Sequence, residues 1–165
     1  MENSLLKKIK ILTKEEITEI IIEKNNYENS KAASIGALKI IQKYRGWVSD
    51  HIINDLANII GITPTELDSI ATFYNLIYRQ PVGTNIILLC DSITCYVHGY
   101  EIIYKKLKHL LGVSMGETTK DKRFTLLPVC CLGNCDKAPN MMINNEIYYN
   151  LIKKNISNIL ELYKK

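Results

Sequence analysis

Four cysteines stand in two close pairs. Cys90 and Cys95 enclose four residues (C-DSIT-C), and Cys131 and Cys135 enclose three (C-LGN-C). Each pair follows an apolar run, IILLC at 86–90 and FTLLPVC at 124–130, and is read as a short polar loop. Thiolates are soft ligands for zinc and for iron–sulfur clusters. Neither spacing is the C-x2-C common in structural zinc sites, so the pattern points to an iron–sulfur cluster and to electron transfer. A [2Fe–2S] centre needs two ligands per iron. Close sequence spacing keeps the entropy of closing each loop small, so Cys90 with Cys95 and Cys131 with Cys135 are expected to serve one iron each. Gly133, inside the second pair, permits a positive φ that would turn backbone N–H groups toward sulfur. A tetrahedral zinc site built from the same four thiols, or buried cysteines without a metal, are the other readings of the spacing.

Cys130 adjoins Cys131. Neighbouring residues in a tight loop point apart, so Cys130 is read as a packed non-ligand. His98 follows Cys95 but lacks the C-x-H arrangement of a Rieske centre, and His51 and His109 have no partner motif. There is no C-x-x-C dithiol. No nucleophile, acid–base pair or substrate pocket is recognisable, so no catalytic residue is assigned.

The elements that must position the cysteines fall into two halves. Residues 14–25 read as a helix capped by Thr13, with Glu15 and Glu16 in its first turn. Residues 31–45 form a second helix closed by Gly46. Ser49 caps a third, which stops at Gly61, and Thr63-Pro64-Thr65-Glu66 is a capping box with proline at the first helical position. Residues 1–83 are therefore assigned to a helical domain, whose aromatic segment at 71–79 and Trp47 are read as packing or subunit contacts. Residues 84–165 alternate: a strand at 85–90, a helix at 97–111, a strand at 123–129, two short strands around Asn144-Asn145, and a last helix at 151–163. The order β-α-β-β-β-α is that of a thioredoxin-like domain. It places both cysteine loops at one end of the sheet. The fold class is thus α+β, a helical bundle followed by a thioredoxin-like α/β domain.

The 165 residues carry a net charge of +4, and 47% are hydrophobic, an ordinary soluble composition. No apolar run reaches the roughly 18 residues that span a bilayer, and the N-terminus has no signal-like core. The chain reads as cytosolic and unprocessed, where five cysteines are not expected to pair as disulfides. The excess of positive charge lies in residues 84–165. It is read either as support for an anionic cluster or as a solvated basic face. Scattered lysines without a recognition motif argue against nucleic acid.

With these residues in view, the chain resembles the 24 kDa, or E, subunits of NADH-quinone oxidoreductase, a family of respiratory complex I. The likeness runs through GWVSDHIINDLANIIGITPTEL, IATFYNLIYRQPVG, C-DSIT-C, MGETTKDKRFTL and CLGNCDKAPNMMINNEIYYNL, about residues 27–163. It implies a thioredoxin-like [2Fe–2S] ferredoxin domain and carries ligand roles onto Cys90, Cys95, Cys131 and Cys135, leaving Cys130 out. It implies FMN and NADH on a partner flavoprotein only, with the cluster exchanging an electron with that FMN. Other peripheral-arm subunits are further implied partners, as is a peripheral place on the cytoplasmic face of a bacterial inner membrane without insertion. The chain alone would not be catalytic. Related subunits serve as diaphorase components of soluble NAD-linked hydrogenases and formate dehydrogenases, and a zinc-stabilised interaction module is the alternative of another class. Lys120 and Lys122 depart from the family's usual proline and glycine in the 115–126 segment.

Overall fold

The computed structural model describes residues 11–163. Residues 1–10, most of the segment read as lacking a signal, lie outside them. The chain divides into two compact units, Met1–Pro81 and Val82–Lys165.

In the first unit α1 (Lys14–Asn25) opens with a complete capping box. The Thr13 side chain accepts from the Glu16 N–H, and the Glu16 carboxylate accepts from the Thr13 N–H. A 3-10 turn, Ser30–Ala33, precedes α2 (Ser34–Arg45). The α-helix therefore begins later than the apolar periodicity suggests. Asn29 accepts from the Lys31 N–H and Ser34 Oγ donates to the Lys31 carbonyl, which holds that turn tight. α3 (Asp50–Ile60) follows Ser49, whose backbone is that of an N-cap but whose side chain makes no capping bond. α4 (Pro64–Phe73) opens on the Thr63–Glu66 box. Leu38, Ile41, Leu56 and Leu67 are fully buried together, each contributing roughly 1.5–3 kcal/mol by leaving water. Arg79 ties the end of the unit back by donating to the Val48 carbonyl and pairing with Asp50 at 2.6 Å and Asp68 at 2.8 Å. Phe73 is 81% exposed, with Tyr74 and Leu76 also exposed, while Ala71 and Ile77 of the same segment are buried in the core, so the segment packs through its aliphatic residues and leaves the Phe73–Tyr74 pair outside. Trp47 is half-buried.

The second unit is a four-stranded sheet in the order β2-β1-β3-β4. β1 (Asn85–Cys90) and β2 (Phe124–Val129) are parallel; β3 (Met141–Ile143) and β4 (Glu146–Tyr148) are antiparallel. The crossover between the parallel pair holds two helices, α5 (Ile93–Val97) and α6 (Tyr100–Leu111), where the sequence suggests one from 97. Gly99, at φ 107°, breaks the helical path between them. Alternation along β1 sends Ile87 and Leu89 to the face covered by α6, with Leu107, Leu126 and Met141. Leu88 and Cys90 face the other way, with Cys95 and Val129. The last helix, α7 (Asn155–Glu161), is shorter than expected. Asn150 is left-handed, and the Leu151 N–H donates to the Pro139 carbonyl, so the chain is held out of the helix there.

Gly83 packs where an added Cβ would lie 2.9 Å from the Lys122 carbonyl and the Phe124 backbone, so only glycine fits. Opposite it, Lys122 holds φ at 56°, a conformation that costs a side-chain-bearing residue about 1–2 kcal/mol. Against the entropy lost by a glycine, Lys122→Gly should raise stability by about 0.5–1 kcal/mol, or about 1–4 °C in Tm for a chain this size. Thermal unfolding checks this; a fall in Tm would show the left-handed turn to be unstrained.

Candidate metal centre

The parallel register pairs Cys90 with Val129. The first cysteine therefore ends β1 level with the residue that leads into Cys130 and Cys131 on the neighbouring strand. Both cysteine segments leave the same end of the sheet. The first is not a plain loop: α5 carries Cys95 and turns its side chain fully inward while Ile93 and Val97 face out. Cys90 and Cys95 are buried, whereas Cys131 and Cys135 are exposed.

All five cysteines are free thiols. The four candidate ligands form a string of neighbours in the order Cys95–Cys90–Cys131–Cys135: Cys90 acts on both the Cys95 and the Cys131 thiols, and Cys131 and Cys135 share a contact in which either sulfur can donate. The Cys131 and Cys135 sulfurs lie 3.6 Å apart. Two thiolates on one tetrahedral metal with bonds of about 2.3 Å stand about 3.8 Å apart, so this pair has the bite of a single metal. Among the described residues no three His, Cys, Asp or Glu side chains converge on one point to hold an ion. With Cys90 and Cys95 beside the Cys131–Cys135 pair, the four thiols stand as two pairs, a donor set that fits a [2Fe–2S] cluster.

Burial, then the bond to Cys90, raises the Cys95 thiol to about 11. Its thiolate is therefore disfavoured unless a cation compensates it. Cys131 is shifted the other way. The Gly133 N–H, aimed at its sulfur from 3.3 Å, is the largest cause, and Cys135 adds to it. Gly133 achieves this at φ 79°, a conformation costly for other residues. Cys135 is raised by its bond to Cys131 and by that thiol's charge. No lysine or arginine is among the groups that shift these three thiols; the one charged side chain is Asp136, acting on Cys135.

Cys130 is exposed rather than packed. Its carbonyl faces the Cys90 sulfur at 3.9 Å, while its own thiol stands outside the string. His98 is an exposed cap of α5 whose Nδ1 faces the Thr94 carbonyl at 2.8 Å. His51 and His109 are exposed.

Sequence reasoning passed over Asn140. It is 1% exposed and its side-chain N–H donates to the Asn134 carbonyl at 2.6 Å while reaching the Cys95 sulfur at 3.9 Å. Its Oδ1 has no partner among the described residues. Asn140 thereby links the second cysteine loop to the buried ligand of the first. The available signal was a polar residue heading the buried strand β3.

A family model described as "Thioredoxin-like [2Fe-2S] ferredoxin" matches residues 17–164. The chain is 54% identical over 153 residues to the E subunit of NADH-quinone oxidoreductase from Buchnera aphidicola subsp. Acyrthosiphon pisum, covering 93% of this chain and 94% of that protein. It is 50% identical over 142 residues to the protein of the same name from Escherichia coli strain K12, covering 86% of each. Among solved structures, an NAD+-reducing [NiFe]-hydrogenase in the air-oxidised state matches with a TM-score of 0.67 at 21% identity, over 77% of this chain and 22% of that one. That likeness is one of fold. No helix among the described residues is long and apolar enough to cross a membrane.

Proposed function

Because the chain belongs to the thioredoxin-like [2Fe–2S] ferredoxin family and, within it, to the E subunits of NADH-quinone oxidoreductase, we propose that it is the electron-transfer subunit of such an oxidoreductase. Cys90, Cys95, Cys131 and Cys135 hold one [2Fe–2S] cluster. FMN and NADH belong to a partner flavoprotein, other peripheral-arm subunits complete the assembly, and the protein sits peripherally on the cytoplasmic face of the inner membrane. The observation that carries the reading is the string of four sulfurs at one sheet end, ordered as two pairs.

A bound cluster supplies one-electron exchange, here with the partner's FMN. The chain supplies the rest. β1 and α5 bury two ligands away from water, and the 131–135 loop keeps the other pair at the surface, where a partner can approach. Gly133 directs an N–H at the Cys131 sulfur, and Asn140 directs one toward Cys95. Such bonds favour the more negative, reduced state and raise the potential. The quinone-reductase context is favoured over a hydrogenase diaphorase because relatives at about half identity carry the former name, whereas the hydrogenase likeness is one of fold alone.

Anaerobic reconstitution with iron and sulfide should load about two irons per chain and give the reduced-state EPR signal of a [2Fe–2S] centre. Stoichiometric zinc without visible absorbance would refute the reading in favour of a zinc-stabilised module.

Asn140→Leu should lower the potential. A hydrogen bond is worth about 0.5–1.5 kcal/mol, and about 1.4 kcal/mol corresponds to 59 mV for one electron. For a contact as long as 3.9 Å, the expected fall is about 20–60 mV. An EPR-monitored redox titration reads it; an unchanged midpoint would show the Asn140 N–H to be spent on Asn134 alone.

A further inference from the structure

Tyr96 follows the buried Cys95 directly in the chain. Its ring stacks on Tyr100, with centroids 6.1 Å apart and planes 27° apart, and Tyr100 stacks on Tyr104 at 6.0 Å and 13°. The three rings form a ladder from α5 along α6. Burial accounts for part of it, since Tyr100 and Tyr104 pack against the core of the second unit. It does not account for Tyr96, which is 54% exposed. Tyrosine is readily oxidised by one electron where phenylalanine and leucine are not, and short ring-to-ring steps favour hopping over one long tunnelling step.

We propose that Tyr96, Tyr100 and Tyr104 form a hole-hopping path that delivers oxidising equivalents from small surface radicals to the reduced iron–sulfur centre. The inference rests on the reading of Cys95 as a cluster ligand. A one-electron oxidant of the peroxyl or azidyl class takes an electron from one ring and is reduced. That phenol releases its proton to water and becomes a neutral tyrosyl radical. Its neighbour on the ladder gives up an electron and a proton to it, so the radical moves rung by rung to Tyr96. There the tyrosyl takes one electron from the reduced centre through the Cys95–Tyr96 peptide, regains a proton from water, and is again a phenol. In sum, one radical is reduced and the centre is oxidised by one electron. Cys95 and the ring system are spared covalent damage, and the flavin can reduce the centre again.

Pulse radiolysis of the full chain carrying its reduced cluster tests this, with azidyl radical as the oxidant. Visible absorbance before the pulse establishes that the cluster is loaded, so failure of the ligand reading shows separately from failure of the path. The tyrosyl absorption should then decay at a rate independent of protein concentration, matched by return of the oxidised-cluster absorbance. Tyr100→Phe preserves the stacked shape and removes the oxidisable rung. It should slow that first-order step by about tenfold, a barrier increase of about 1.4 kcal/mol. A decay that depends on protein concentration, or an unchanged rate in the triple variant Tyr96→Phe, Tyr100→Phe, Tyr104→Phe, would overturn the proposal.

Discussion

Replacing Cys95 with serine should abolish the cluster, taking iron from about two per chain to a small residue and removing the visible absorbance and the reduced EPR signal. Cys95 is fully buried and ends the string of sulfurs. A serine hydroxyl there is a harder, less acidic donor than a thiolate, and no neighbouring sulfur can replace it, because Cys130 is exposed and its thiol lies outside the string. Cys130→Ser is the matched control and should leave iron, absorbance and potential unchanged. Folding separates this outcome from that of a metal-stapled module. Ile87, Leu89, Leu107, Leu126 and Met141 are fully buried without help from the cysteines, so the Cys95→Ser protein should keep its far-UV circular dichroism. Loss of fold together with the metal would point instead to a structural ion. A Cys95→Ser protein with an unaltered [2Fe–2S] spectrum would remove Cys95 from the ligand set.

Features governed by neighbours in sequence were legible before the structure. The Thr13–Glu16 and Thr63–Glu66 boxes depend on residues three apart. The β1 and β2 runs are apolar enough to declare themselves, and their parallel pairing follows from the helical crossover between them. What was missed depends on contacts distant in sequence or on one backbone angle. Gly99 splits the expected 97–111 helix, and the same break frees residues 93–97 to form the helix that buries Cys95. The start of the last helix is delayed by a bond from Leu151 to Pro139, which no local pattern announces. Asn140 reaches Cys95 across 45 positions, a contact that no local pattern of cysteine or histidine encodes. The exposure of Phe73 was open in the sequence because aromatic residues serve cores and interfaces alike. The thiol environments follow the same division: an N–H turned toward sulfur at Gly133 is local and legible from the glycine, whereas the lowering of Cys131 that it causes and the raising of Cys95 by burial in α5 come from the structure.

Arg45→Met should destabilise the helical unit by about 3 kcal/mol at neutral pH. Arg45 grips Glu16 with two bonds of 2.6 Å and also donates to the Ile11 carbonyl at 2.9 Å. The Glu16 side chain is 2% exposed. The Arg45 hydrogen bond is the largest cause holding the Glu16 carboxyl below its ordinary value, against the opposing effect of burial. A depressed folded-state value means that the unfolded chain binds the proton more readily. The pair's stabilisation is therefore full above the unfolded carboxylate range and is lost as pH falls through the folded value. In the Met variant the main cause of depression is gone and burial remains, so Glu16 becomes an uncompensated buried charge at neutral pH and protonates readily in acid. The gap between parent and variant should accordingly narrow when urea unfolding is repeated near about pH 3, where both carboxyls are largely protonated in the unfolded chain. Adding Glu16→Gln to Arg45→Met should recover part of the neutral-pH loss, because an amide costs less to bury than a charge. The Gln side chain can still accept from the Thr13 N–H and so keep the capping box closed. A loss of equal size at both pH values, with no recovery in the double variant, would mean that Arg45 acts through its aliphatic stem and the Ile11 carbonyl rather than through the charge of Glu16.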